Sequence, residues 1–201
     1  MKIGPRYKKA RYLGAAVFSK TQTPKFAMRS QKKEKKGRGR GGKSQYGEQM
    51  LEKQKARYSY GISAGQFGNY VRKALQTTGD NSKNLLHLLE SRLDNVIFRS
   101  GIVNSRFAAR QMVSHGHLCV DGVIVTIPSY KVKIGEIITI REGSKKKSLF
   151  AGLSEKLKTS ERPAWIAVDA DKQEFKIIGD STADQSGLLF DMQAVLEFYT
   201  R

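Results

Sequence analysis

Between Asn84 and Glu142 the spacing of apolar residues changes from steps of three and four to steps of two, and that switch constrains the fold more than any other stretch. Leu85, Leu88, Leu89, Leu93, Val96 and Ile97 recur at helical intervals, and Gly101 ends the run. Ser105 is placed to cap a second, shorter helix, SRFAARQMVSH, with Gly116 just past its end. Ala109, Met112 and Val113 form its buried stripe. Asp121 and Gly122, which tolerate positive φ, then join Leu118-Cys119-Val120 to Val123-Ile124-Val125, the local signature of a tight hairpin. After Pro128-Ser129-Tyr130, Val132 and Ile134 lead through Gly135-Glu136 to a strand from Ile137 to Ile140.

Charge divides what flanks this block. Residues 1–60 hold 18 Lys and Arg against 3 acidic residues, and residues 61–160 hold 15 against 7. Residues 161–201 reverse the balance, with 4 against 8. The net charge of +19 therefore sits on the first three-quarters of the chain and calls for a polyanionic partner. Nucleic acid is the first candidate, because neutralising phosphates releases counterions. An anionic membrane is second, but the basic arm lacks the large apolar face of a surface helix. No apolar run approaches the roughly 18 residues of a spanning helix. The first residues, MKIGPRYKKARYLGAAVFSK, start like a signal peptide, but Ser19-Lys20 cuts the apolar part short, so neither signal nor anchor is expected. The single Cys119 excludes an intrachain disulfide, and a reducing cytosolic setting fits.

Residues 1–45 show little apolar periodicity, and QKKEKKGRGRGGK at 31–43 is a low-complexity basic run. Two readings fit: a solvated tail, or an arm that orders as RNA phosphates neutralise it. Tyr7, Tyr12, Phe18 and Phe26 are interleaved with the charges, either to stack on bases or to anchor the arm. From Tyr46 a basic amphipathic helix runs to a stop at Gly61. Ser63 caps the next helix, with Phe67, Tyr70, Val71, Ala74 and Leu75 as its stripe and Arg72 and Lys73 facing outward. Beyond Lys145-Lys146-Lys147 come a short helix around Leu149 to Lys158, strands at Trp165 to Asp169 and Glu174 to Ile178, and a docking-competent helix from Met192 to Tyr199.

Within the central block, Arg106 and Arg110 lie four apart and point from one exposed face, next to a helix start that favours phosphate. Lys131 and Lys133 share a face if their segment is extended. His115 ends the arginine helix, where it either faces RNA or takes a core or solvent position. Cys119 reads as a small core residue, and no third group orients it with a histidine as a nucleophile. The GRGRGG run lacks the strand–loop–helix context of a phosphate-binding loop.

RLDNV at 92–96, SRFAARQMVSHGH at 105–117, VDG at 120–122 and IPSYKV at 127–132 resemble an RNA-binding module found in a ribosomal protein, pseudouridine synthases and tyrosyl-tRNA synthetases. The flanks narrow the match. Gly4-Pro5-Arg6, YGEQMLEKQKARYSYGISAGQFGNYVRKA at 46–74, PAWIAVD at 163–169 and LEFYTR at 196–201 are together similar to the family of small-subunit ribosomal protein four.

That resemblance implies an α+β fold: a helical domain with an inserted module of two helices plus antiparallel sheet, preceded by an extended basic arm. The implied boundaries are 1–43 for the arm, 44–84 for the helical domain, 85–150 for the module, 151–164 for a linker helix and 165–201 for a segment completing the helical domain. It implies a non-catalytic constituent of the small ribosomal subunit that binds 16S-type rRNA, nucleates assembly of the subunit body and influences decoding accuracy. The implied partners are that rRNA, small-subunit protein five and mRNA near the entry channel, without a membrane or small-molecule substrate. The implied location is the cytoplasm, or the matrix or stroma if organelle-encoded.

The residues expected to meet RNA are Arg6, Lys9, Arg11, Arg38, Arg40 and Lys43 in the arm, and Tyr46, Lys53, Lys55, Arg57, Arg72 and Lys73 in the helical domain. In the module they are Arg92, Ser105, Arg106, Arg110, Gln111, His115, Lys131 and Lys133. Many family members carry zinc-binding cysteines near the N-terminus; this arm has none, with Tyr7 where a cysteine is common, so neither zinc nor any cofactor is expected. GDSTAD at 179–184 stands where the family more often has a basic, proline-containing stretch. Two alternatives remain: a pseudouridine synthase-like enzyme, whose Arg-Leu-Asp motif Arg92-Leu93-Asp94 imitates, and a free regulatory RNA-binding protein. Asp94 is expected instead to pair with a neighbouring arginine or cap a backbone group.

Overall fold

A computed structural model describes residues 3–34, 44–160, 162–181 and 187–201. The chain divides into one unit of Met1–Leu85 with Ser186–Arg201 and a second of Leu86–Gln185.

In the first unit, α1 (Arg6–Leu13) starts behind Pro5 and ends at Gly14, whose φ of 68° lets its N–H reach the Ala10 carbonyl. Ala10 and Leu13 are buried, as are Ile3, Val17 and Phe18 nearby. A second helix, α2, spans Pro24–Glu34. These helices correct the expectation of an extended arm: α1 forms with only Ala10 and Leu13 of its residues buried. Arg38, Arg40 and Lys43 lie outside the described residues. α3 (Gln45–Tyr60) is capped by Ser44, whose hydroxyl accepts from the Gly47 N–H, and closes at Gly61. α4 (Ala64–Gln76) is capped in the same way by Ser63. The last helix, α10 (Met192–Thr200), packs on α3 and α4. The Tyr199 ring lies 6.1 Å from Phe67 and seats over Gly68, where an added Cβ would stand 3.4 Å from Tyr199 Cε1.

The second unit takes up α5 (Asn81–Glu90) from Leu86 onward, then α6 (Leu93–Arg99) and α7 (Arg106–Ser114). The leucine run is therefore two helices, not one. Arg92 adopts an extended conformation and bridges to Lys131, and the Val132 N–H donates to the Ser91 carbonyl. The chain after Pro128 thus competes for backbone groups that a continuous helix would use. α7 has the expected Ser105 cap, and the hairpin pairs β1 (Leu118–Val120) with β2 (Val123–Ile124) through Asp121 and Gly122, both at positive φ.

β3 (Ile137–Ile140), β4 (Ile166–Asp169) and β5 (Glu174–Ile177) complete one antiparallel sheet in the order β2-β1-β3-β5-β4. The 165–201 segment therefore differs from the expected boundary. β5 pairs with β3, Ile138 opposite Phe175, β4 pairs with β5, and only the stretch from Ser186 belongs with the helical unit. Burial explains the placement, since Ile166, Phe175 and Ile177 enter the same core as Leu93, Ile97, Val113 and Ile138. A short helix, α8, spans Glu142–Lys145, and the helix expected around Leu149 to Lys158 is divided into a 3-10 turn at Ser148–Phe150 and α9 (Leu153–Thr159), with Gly152 in the left-handed region between them. Among the described residues no helix is long and apolar enough to cross a membrane.

Candidate nucleic-acid interface

Two carboxylates beneath α6 and α7 organise the basic residues of the second unit. Asp94, in the first turn of α6, accepts from Arg92 Nε at 3.0 Å and Nη2 at 2.9 Å. It also accepts from Arg110 Nε at 2.9 Å and Nη2 at 2.6 Å. Glu90, at the end of α5, takes both forks of Arg99 at 2.9 Å and the Asn95 side-chain amide at 2.6 Å. Arg106 donates from Nε to Asn95 Oδ1 at 2.6 Å, lies 4.0 Å from Glu90 and stacks over Phe98 at 4.4 Å. Both acidic residues are at most 2% exposed, so four guanidinium groups converge on two charges that have left water. Planar guanidinium groups suit this, because each makes paired, oriented hydrogen bonds.

The arrangement corrects two expectations. Arg92 is 3% exposed and turned to Asp94, so it supports the surface from within and does not meet a ligand directly. Arg106 and Arg110 do not stand on an open face: their side chains are 18% and 24% exposed, with one side committed to the network and one edge reaching solvent. Helical period places them on one side of α7 but says nothing of the buried acids across from that side. The Leu93 and Asp94 N–H groups at the start of α6 donate to the Tyr130 and Pro128 carbonyls and are not available to phosphate.

Ser105 serves as the α7 cap, accepting from the Ala108 N–H at 3.2 Å. Gln111, His115, Lys131 and Lys133 are exposed. His117 is buried; its Nδ1 lies 2.9 Å from Ser144 Oγ, and its ring meets Phe150 edge-on. Burial, then the positive charges of Lys147, His115 and Arg141, holds its pKa below the ordinary 6.5. Arg141 and Lys147, exposed and absent from the expected set, thus join the basic surface near the end of α7. The signal for Lys147 in the sequence was the triple-lysine run, which reads equally as a linker, and Arg141 carried none.

In the first unit, Arg11, Tyr46, Arg72 and Lys73 are exposed, while Arg6, Lys9, Lys53, Lys55 and Arg57 are half-buried. Lys9 donates to the Tyr58 hydroxyl at 3.1 Å, and Arg57 lies 4.5 Å over the Tyr58 ring. Lys53 sits 4.1 Å over Phe198, and burial, followed by the Arg57 charge, lowers its pKa from 10.5. Lys55 pairs with Glu52. Tyr7 and Tyr12 are exposed, whereas Phe18 is buried against Tyr58, so the arm aromatics divide between surface and anchor.

Sequence reasoning missed an acidic recess in this basic unit. Glu48, Glu52, Asp191 and Glu197 line a cavity of about 380 Å³ beside the 96%-buried Gln49, whose amide donates to Glu197 at 2.8 Å. The Gln49 carbonyl oxygen is buried with no hydrogen-bond partner among the described residues. The four acids are scattered between α3 and α10, so only the fold assembles them. Among the described residues no group of His, Cys, Asp and Glu is disposed to hold a metal.

Comparison with known proteins gives two family matches: "Ribosomal protein S4/S9 N-terminal domain" over residues 1–90 and "S4 domain" over residues 91–138. A small ribosomal subunit protein uS4 of Cutibacterium acnes is 40% identical over 198 residues, covering 98% of both chains. Relatives of the same name from Chromobacterium violaceum and Limosilactobacillus reuteri are 42% and 38% identical, over 99% and 98% of this chain and 98% of each relative.

Proposed function

The chain belongs to the uS4 family of small ribosomal subunit proteins, and from that premise we propose that it seats 16S-type rRNA on its basic surfaces and nucleates folding of the subunit body. Its role as a structural, rRNA-binding constituent of the small subunit follows from the family. The observation that supports a specific RNA surface is the network of Arg92, Arg99, Arg106 and Arg110 on Glu90 and Asp94. Buried acids fix the guanidinium planes before RNA arrives, so less side-chain entropy is lost on binding. Phosphate and 2′-hydroxyl contacts then set affinity, while the fixed shape of the surface selects a folded RNA junction.

Protein five is the proposed neighbour of the acidic recess, where a cationic side chain would satisfy the Gln49 oxygen and face Glu48 and Glu197. Such a contact, with mRNA nearby, is how the chain would influence decoding accuracy. The enzyme alternative needs Asp94 as a reachable nucleophile, but that carboxylate is 2% exposed and held by two arginines. Sucrose-gradient sedimentation separates these readings. The protein is expected to co-migrate with small subunits at physiological salt; a protein found only at the top of the gradient would overturn the assignment. In parallel, no pseudouridine is expected in rRNA incubated with the protein.

A further inference from the structure

A second cavity, of about 270 Å³, opens in the Leu86–Gln185 unit, and none of the four network arginines lines it. Val96, Val132, Ile177 and Trp165, the chain's one tryptophan, give it apolar walls. Lys131 and Lys133 line it from the segment after Pro128, both exposed, and neither pairs with a carboxylate among the described residues. Ser91 contributes a 95%-buried side chain whose hydroxyl has no hydrogen-bond partner among the described residues. His87 closes one side and is itself held, Nδ1 to Asp180 at 3.0 Å.

We propose that this cavity is a binding site for a single unstacked nucleotide of an RNA strand, base inside and flanking phosphates on Lys131 and Lys133. The occupant follows from three features together. Two exposed cations at the mouth ask for a polyanion, which an apolar protein side chain would not supply. Apolar walls that include an indole suit a base, because every base has a π-face that stacks without a sequence requirement. The unpartnered Ser91 hydroxyl offers one polar contact, which a base edge can meet and an aliphatic group cannot. A space of about 270 Å³ is large enough for one base and lies at the small end of ligand pockets, which run from roughly 300 to 1,000 Å³. The inference rests on the rRNA-binding reading and adds to it a contact made outside the arginine surface.

Trp165 makes the site observable. The full-length protein is titrated with a short single-stranded oligoribonucleotide of mixed sequence, and with an abasic strand of the same length and charge. The intact strand is expected to quench and shift Trp165 emission, and the abasic strand to bind roughly tenfold more weakly without the shift. Lys131→Ala with Lys133→Ala should lower the log–log salt slope by about 1.4, at about 0.7 per single-strand phosphate. Gly179→Leu places a side chain beside Trp165, where a Cβ has ordinary contact distance to that residue at 3.5 Å, and is expected to abolish the shift while both lysines remain. Equal emission changes with the two strands, or a shift that survives Gly179→Leu, would overturn the site. So would a Trp165 response to an apolar peptide and not to RNA. Small-subunit rRNA is titrated in parallel. Binding there with Trp165 unmoved defeats this site alone, whereas no binding defeats the ribosomal reading beneath it.

Discussion

Removing the Asp94 carboxylate would break one side of a buried ion pair, with Arg92 3% exposed and Asp94 2% exposed. Asp94→Ala is therefore expected to cost about 3–5 kcal/mol, the range for breaking a buried pair from one side. Urea denaturation measures it, and a cost near zero would mean that water reaches the pair. Gly101 makes a different demand, at φ 82° with Ser160 Oγ only 2.6 Å from where a Cβ would stand. Gly101→Ala should destabilise by about 1–3 kcal/mol, and Ser160→Gly in the same chain should recover only the steric part. The sequence made Gly101 visible as a helix stop and Asp94 as an arginine partner. It could not show that Arg92 is buried, because charge and spacing alone do not reveal a residue turned inward onto a partner two positions away.

At the scale of elements, caps and stops were legible because they are local chemistry. Ser63 and Ser105, both expected as caps, accept from the N–H three residues on, and Ser44, not among the expected caps, does the same. Ser105→Ala should cost about 1 kcal/mol by chemical denaturation, with α7 the helix that frays. The break between α5 and α6 was not legible, since the leucine period runs through it and the competing partner, Lys131–Val132, lies some forty residues on. The end of α7 carries a pH dependence. His117 has a folded pKa below 6.5, so on acidification the unfolded chain takes up its proton first. Stability from this site is complete above 6.5 and falls as pH drops from there toward the folded pKa. Thermal melts of the wild type against His117→Asn should show that acid-side loss in the wild type and a flatter profile in the variant.

At the scale of the whole molecule, the family motifs marked an insertion, but the exact return point depended on strand pairing. β4 and β5 read as strands in isolation, yet they join the sheet through β5 pairing with β3, more than twenty residues earlier, so local pattern could not assign them to the sheet. The acidic recess escaped for the same reason, being built from α3 and α10, which are far apart in the sequence. Charge was the reverse case: a net +19 concentrated in the first three-quarters of the chain needs no fold to imply a polyanion. The central claim is that a preorganised arginine surface holds rRNA. Its most direct test is binding of the full-length protein to small-subunit rRNA over a range of salt, against Arg106→Ala with Arg110→Ala. In that variant Glu90 keeps Arg99 and Asp94 keeps Arg92, so the core charges stay paired. Weaker binding is expected, with a log–log slope shallower by about 1.4 to 1.8, at roughly 0.7 to 0.9 per lost phosphate contact. An unchanged slope and affinity in a variant that remains folded would contradict the account.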